Sequence, residues 1–301
     1  MRFPALEQQA RAVLRRELDR PPQPALEPLL RTIGDRYGEG LVAILYYGSC
    51  RREDTLEGLV DFHVIVKDFS ALPQGLGLAA RLLPPNVYYL EVPTAAGTLR
   101  CKYALLTQRQ FLRGCSRLSA FPYFWARYAQ PMSLLACEAR ETRALLASAM
   151  LGAAETLLVR TLPGLPEGTS GKALWQAALG HTYGTELRPE GPGRGDVIIE
   201  RDLAFFEALA APVLARERAW RARSGPRWAR GTWALRRLLG KPLALARLFK
   251  ALLTFEGALD YGAWKLERHS GERIMLTPRL RRFPWLFVWP ELWRLWRAGR
   301  L

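Results

Sequence analysis

Apolar residues recur every three or four positions between residues 5 and 20, which predicts an amphipathic helix. Pro21-Pro22 stops it, because proline lacks the amide donor and restricts the residue before it. A second helix is expected at about 25–36. The pattern then changes. Leu41 to Tyr47 is a continuous apolar run closed by Gly48-Ser49, the signature of a buried strand and a turn. Leu59 to Val66 is the next strand, and a period of two places Asp61 and His63 on one face of it. Val87–Val92 and Leu99–Leu106 read as two more strands, with Pro93 and Gly97 as turn signals between them. Beyond residue 107 the spacing is helical, with segments at about 107–115, 120–129, 133–160 and 170–184. A Gly/Pro-rich loop follows at 190–195, then further helices with breaks expected at Pro212, Gly225-Pro226, Gly240 and Gly271. The sum is an α+β chain: a small mixed sheet, a helical region, and a helical tail.

Composition changes this picture mainly at the C-terminal end. The chain carries 44 Lys+Arg against 28 Asp+Glu, a net charge of +16. From residue 206 onward there are 20 basic and 7 acidic residues, so most of the excess sits in the tail, with eight of the ten tryptophans. Basic charge and Trp together predict contact with a polyanion or an anionic membrane surface. Cys50, Cys101, Cys115 and Cys137 form no C-x-x-C pair, which fits a reducing compartment better than disulfides or structural zinc. Met1-Arg2-Phe3-Pro4 runs into a charged helix without the apolar stretch of a secretory leader. No uncharged apolar run approaches the ~20 residues that span a bilayer.

The candidate chemistry begins at Gly48-Ser49. A Gly-Ser turn that opens a helix offers backbone amides to phosphate, and eleven residues later Asp61 projects from the adjoining strand. A carboxylate there can hold Mg²⁺, which prefers hard oxygen ligands and leaves room for substrate phosphate. The arrangement of strand, G-S, about ten residues and an acidic strand resembles the polymerase-beta-like nucleotidyltransferase superfamily, with His63 where that pattern has a second acid. Taken singly, Lys102, Arg127 and the Glu186-x-Arg188 pair are ordinary strand, helix and loop charges.

In order, however, they resemble the mitochondrial-type phosphatidate cytidylyltransferases, the translocator assembly and maintenance proteins, in a bacterial version. Tyr47-Gly48-Ser49 with Asp61-Phe62 is similar to that family's Y-G-S…D-[FL]. Asn86-Val87-Tyr88-Tyr89, Lys102-Tyr103, Ala126-Arg127 with Gln130-Pro131, and Thr182-Tyr183 with Glu186-x-Arg188 follow in family order, over about residues 40–200. Cys50-Arg51 stands for the family's Gly-Val, Gln130 for its Lys, and Glu186 for its Asp.

The resemblance implies a nucleotidyltransferase core at 1–115 and a helical domain completing the site at 116–205; the tail lies outside its motifs, and its charge and Trp content make 206–301 an expected basic membrane-association region. It implies transfer of the cytidylyl group from CTP to phosphatidate, giving CDP-diacylglycerol and pyrophosphate. Gly48, Ser49, Tyr47 and Lys102 would bind the nucleotide, and Asp61 and Glu186 the Mg²⁺, with Glu91 as the rival second carboxylate. Lys102, Arg127 and Arg188 would offset phosphate charge. Arg281, Arg282, Trp285, Trp289, Trp293 and Trp296 suit a membrane interface, where Trp and Arg favour the headgroup region. A peripheral protein on the cytoplasmic face of the cell membrane is expected. The alternatives are a nucleotidyltransferase acting on RNA or protein, and a catalytically dead membrane-binding adaptor. The aromatics cluster in the tail instead of beside the sheet, so no nucleic-acid partner is expected.

Overall fold

The computed structural model describes residues 3–70, 72, 80–81, 83–119, 122–137, 139–186 and 193–254, together with 260, 261, 264 and 278. The two apolar runs form the centre of a sheet: β1 (Leu41–Tyr47) and β2 (Leu59–Val66) pair antiparallel. β3 (Asn86–Thr94) and β4 (Gly97–Thr107) make a hairpin, and β4 lies parallel to β2. A short β5 (Ser133–Leu135) closes the other side, giving the order β3-β4-β2-β1-β5. Pro93 falls in β3, the edge strand, where its missing donor costs no ladder bond on the open side. The chain is therefore α+β with a mixed five-stranded sheet.

Eleven α-helices occur among the described residues. Near the start are α1 (Pro4–Leu18), α2 (Glu27–Tyr37) and the single-turn α3 (Ser49–Glu53). The middle of the chain supplies α4 (Gln108–Cys115), α5 (Tyr123–Tyr128), α6 (Arg140–Thr161) and α7 (Gly171–Tyr183). Then come α8 (Arg194–Arg201), α9 (Leu203–Leu214), α10 (Glu217–Arg223) and the long α11 (Pro226–Thr254).

Each face of the sheet buries a separate core. On one face Ile44, Tyr46, Phe62, Val64 and Tyr103 pack against Leu29, Ile33 and Tyr37 of α2. On the other, Ala43, Leu45, Ile65 and Leu106 meet α1, α4–α7 and α9. Both cores touch the inner strands, which explains why β1 reads as an unbroken apolar run and β2 as one interrupted on a single face, at Asp61 and His63. α6 is long and apolar enough to cross a membrane by length and composition, yet half of that window is buried in the protein. Here it is the central helix of the larger core.

Three expectations need correction. The predicted helix at 133–160 begins only at Arg140: Ser133–Leu135 is extended and takes the free edge of β1, and Ala136 turns away at φ +24°. Three residues are too few for strand alternation to show. Pro212 does not break α9, which runs on to Leu214 without the amide bond that proline cannot donate. Gly240 does not break α11 either. The larger core also continues beyond residue 206. Phe206, Leu209, Ala210, Val213, Trp220 and Trp233 all belong to it, so two of the tail's tryptophans are interior residues.

Candidate functional site

The register of the sheet builds the site. Tyr47 of β1 stands opposite Asp61 of β2, and Asp61 opposite Lys102 of β4. Directly paired residues share a face at neighbouring strand positions, so the three side chains form one cross-strand row. Lys102 Nζ lies 3.5 Å from Asp61 Oδ1. Just after Tyr47 the chain turns at Gly48, whose φ of +92° opens α3. A Cβ at Gly48 would come within 2.7 Å of Asp61 Oδ2. Glycine is thus required twice, for its left-handed backbone and for the space the carboxylate occupies. α3 is only five residues long, so an anion there would meet the turn's amides and nearby cations more than a helix dipole.

Elements remote in sequence complete a pocket of about 300 Å³ lined by Tyr47, Gly48, Ser49, Arg52, Asp61 and Lys102, with Arg127, Gln130, Tyr183, Glu186 and Ile198 opposite. Its lining is predominantly polar and holds three cations against two carboxylates, a balance suited to a polyanionic ligand that arrives with a divalent metal. Of the residues expected at the site, Tyr47, Gly48, Ser49, Asp61, Lys102, Arg127 and Glu186 converge here. Arg188, Arg281, Arg282, Trp285, Trp289, Trp293 and Trp296 lie outside the described residues. Glu91 does not line the pocket. It sits on the edge strand, ion-paired to Arg100 at 3.0 Å and accepting the Tyr89 hydroxyl at 2.6 Å.

Two basic residues behave in opposite ways. Arg51, adjoining the Gly-Ser turn, points away from the pocket and is 3 % exposed. Its Nε donates to Ser133 Oγ at 3.0 Å and its Nη2 to the Glu17 carboxylate at 2.8 Å, so it ties α3 to β5 and α1. Arg127 instead packs its guanidinium against the rings of Tyr47 and Tyr123, at 5.8 and 5.4 Å, and its buried Nε has no hydrogen-bond partner. Burial disfavours its charge, but Tyr47, Tyr123, Glu186 and Asp61 outweigh this and hold it above the usual arginine range.

His63 lies one row behind Asp61, buried and stacked on Tyr47 at 4.5 Å with Tyr128 tilted against it at 4.9 Å. Burial, then the charges of Arg127 and Lys102, push its pKa well below the usual histidine value. It is a neutral packing group beneath the pocket floor.

α11 was not part of the expected site, yet it holds the Glu186 segment in place. Trp233 stacks on His181 of α7 at 4.8 Å, and Arg237 Nη2 contacts His181 Nδ1 at 2.7 Å. A Cβ on Gly240 would stand 2.5 Å from the Thr185 carbonyl, so this glycine permits close approach and is not a helix stop. Further along, Arg247 lies 5.0 Å over the Tyr123 ring and is influenced by the Glu186 charge. Lys250 donates to the Pro85 carbonyl and to Asn86 Oδ1, both at 2.7 Å. Arg52 carried a local signal, three residues past Ser49 in the first turn. Arg247 had none, since only the packing of α11 brings it near Glu186.

The donor set fits Mg²⁺. Two carboxylates in a polar pocket suffice for an ion that keeps waters and phosphate oxygens as its other ligands. No group of three or more His, Cys, Asp or Glu side chains that could hold a metal ion occurs among the described residues. No protein-family model matches this sequence, and no curated protein matches it.

Proposed function

We propose that this protein is a nucleotidyltransferase with a polymerase-beta-like core, transferring a cytidylyl group from CTP to phosphatidate to give CDP-diacylglycerol and pyrophosphate. The observation that carries the reading is the convergence of Gly48, Ser49, Asp61, Lys102, Arg127 and Glu186 on one pocket. Those are the residues through which the sequence resembles the mitochondrial-type phosphatidate cytidylyltransferases.

Asp61 and Glu186 would hold the Mg²⁺, which when bound neutralises charge on the nucleotide phosphates. Because Lys102 lies against Asp61 Oδ1, its ammonium must shift toward the triphosphate as the carboxylate takes up its new role. The Gly48-Ser49 amides and Arg52 then grip the phosphates. An acceptor phosphate oxygen attacks the α-phosphorus in line, the bond to the β-phosphate breaks, and pyrophosphate leaves beside Lys102. The acceptor is already an oxyanion, so no general base is needed; positioning and charge neutralisation perform the work. That agrees with a neutral, buried His63 taking no part.

The lipid acceptor is supported by α11. Its outer face carries Trp228, Leu235, Leu238, Leu239 and Leu245, each at least half exposed. The same helix has no acidic residue, and four of its seven Lys and Arg (Arg227, Arg230, Arg237 and Lys241) are exposed. An apolar stripe with cationic flanks suits an anionic bilayer surface, where each basic residue contributes about 1 kcal/mol. The protein would act peripherally, at the cytoplasmic face of the membrane.

Labelled CTP with Mg²⁺ and either phosphatidate vesicles or RNA tests the reading. Labelled CDP-lipid is expected, reduced at least ~100-fold by Asp61→Ala, as for loss of one preorganised charge-stabilising group. No lipid product with any of the four nucleotides refutes it.

A further inference from the structure

We infer that a cationic cavity between α6, α10 and the start of α11 seats the phosphate of an anionic phospholipid headgroup, at a site separate from the Asp61 pocket. That the anion belongs to a bilayer rests on the preceding reading of α11, whereas the anion site itself rests on the cavity. Its volume is about 180 Å³, and Arg117, Arg160 and Arg223 all line it, with Trp220, Ser224 and Trp228. No acidic residue is among its described lining residues, and it shares none of them with the Asp61 pocket. Packing holds the three cations close. Arg117 and Arg223 lie 5.4 and 5.2 Å from the centre of the Trp220 ring. Arg160 donates to the Arg117 carbonyl at 2.9 Å, and burial, then the Arg117 charge, lowers its pKa. Among the described residues one carboxylate is ion-paired with them: Glu155, 2.8 Å from Arg117. One carboxylate against three guanidinium groups leaves the wall net positive. Trp220 also has a buried Nε1 without a hydrogen-bond partner, so the wall keeps donors that protein oxygens do not take up.

A phosphate group meets these conditions, because guanidinium forks match its oxygens in bidentate fashion and its charge offsets theirs. The bilayer as its source follows from what borders the cavity. Trp228 lines it and is nevertheless 68 % exposed. The exposed Leu235 and Leu239 follow two and three turns further along the same side of α11. A cationic seat therefore lies beside an exposed indole, where the apolar stripe begins. Tryptophan favours the headgroup level and an apolar helix face the acyl boundary, so a lipid phosphate seated here leaves its chains alongside the stripe. A free phosphate or an RNA backbone would make no use of that stripe.

The test uses the full-length protein and vesicles of phosphatidylcholine with or without phosphatidylglycerol, which lacks the phosphomonoester of the proposed acceptor. Arg230→Gln removes an exposed charge outside the cavity and should weaken sedimentation with the anionic vesicles about 5-fold, the general cost of losing one basic residue near the surface. Arg223→Gln, also at an exposed position, should weaken it at least ~20-fold, with Arg223→Lys between wild type and Gln. Arginine-specific dicarbonyl labelling of the wild-type protein, read by peptide mass spectrometry, needs no variant. Arg117 and Arg223 should be protected by the anionic vesicles more than Arg230 is, and at lower lipid phosphate than inorganic phosphate requires. A loss in Arg223→Gln no larger than in Arg230→Gln, or protection of Arg223 no better than that of Arg230, overturns the seat. Equal protection by inorganic phosphate, or protection by RNA and not by vesicles, overturns the lipid source. Cytidylyl transfer to short-chain phosphatidate below its micellar concentration should change less than ~2-fold in Arg223→Gln, as for a residue outside that site. Absence of that product in wild type, with Arg223-dependent vesicle binding intact, would sink the proposed activity and leave the seat standing.

Discussion

Arg51 and Arg127 are two sheltered arginines on either side of the same sheet end, and their surroundings could hardly differ more. Arg51 has its donors met by Ser133 and Glu17. Arg127 has aromatic faces, two carboxylates at a distance and a buried Nε without a partner. A cation whose donors are met by protein oxygens ties elements of the framework together; one packed on aromatic rings beside a pocket keeps donor capacity that the framework does not use. The contrast also shows why the departure from Gly-Val at Cys50-Arg51 leaves the pocket intact. Cys50 turns its thiol to the Leu59 carbonyl and Arg51 turns to α1, so neither lines the pocket.

The sharpest way to break the comparison is to neutralise each arginine. Arg51→Gln leaves Glu17 facing a lost partner and should destabilise the protein by about 3 kcal/mol, as when one half of a buried pair is removed. Arg127→Gln should leave stability within about 1 kcal/mol of wild type, or raise it, while lowering nucleotidyl transfer at least ~100-fold. Urea unfolding beside the CTP assay reads both. Equal destabilisation by the two substitutions would erase the distinction.

A smaller effect is expected at the strap that holds Glu186. Gly240→Ala forces a methyl group against the Thr185 carbonyl and should cost about 1–3 kcal/mol, with activity falling further than that loss of folded protein explains. The outer face of α11 should respond the other way. Leu238→Glu, at a position 70 % exposed, should leave the unfolding midpoint unchanged and weaken binding to anionic vesicles about 10-fold in sedimentation, less so as salt is raised and screens the added repulsion.

The smallest effect is a pH dependence at the α7–α11 contact. Burial, then the Arg237 charge, hold the His181 pKa below its usual 6.5. Above that value both folded and unfolded states are neutral there and nothing changes. As pH falls through it the unfolded chain gains a proton that the folded protein resists, so stability declines on the acid side. The urea midpoint should drop more between pH 7.5 and 5.5 in wild type than in His181→Gln. His63 shifts in the same direction, so part of the decline should persist in that variant.

Much of the sheet was legible in advance. β1 coincides with its apolar run because both of its faces are covered, and β2 is bounded by apolar residues on either side of the alternating Asp61 and His63. Gly48 and Asp61 were legible for a related reason: a turn and the next strand are neighbours in sequence as well as in space. β5 was not, since three residues carry no period and only the free edge of β1 makes them a strand. Gly240 misled because glycine marks a chain break and a close helix crossing with the same letter. The tail's tryptophans divided for reasons composition cannot show: Trp220 and Trp233 are interior, while Trp228 is 68 % exposed.

By itself, the sequence determined the order of elements, the Gly48-Ser49 turn, the Asp61 strand and the basic character of the C-terminal third. These depend on local backbone preference, side-chain period and charge, which neighbours along the chain express directly. Tertiary structure alone decided that Arg51 is framework and Arg127 is not, that Glu186 rather than Glu91 shares the pocket with Asp61, and that α11 brings Arg247 near Glu186. Periodicity reports that a face is buried, never against what, and an ion's role is set by the partners that packing places around it.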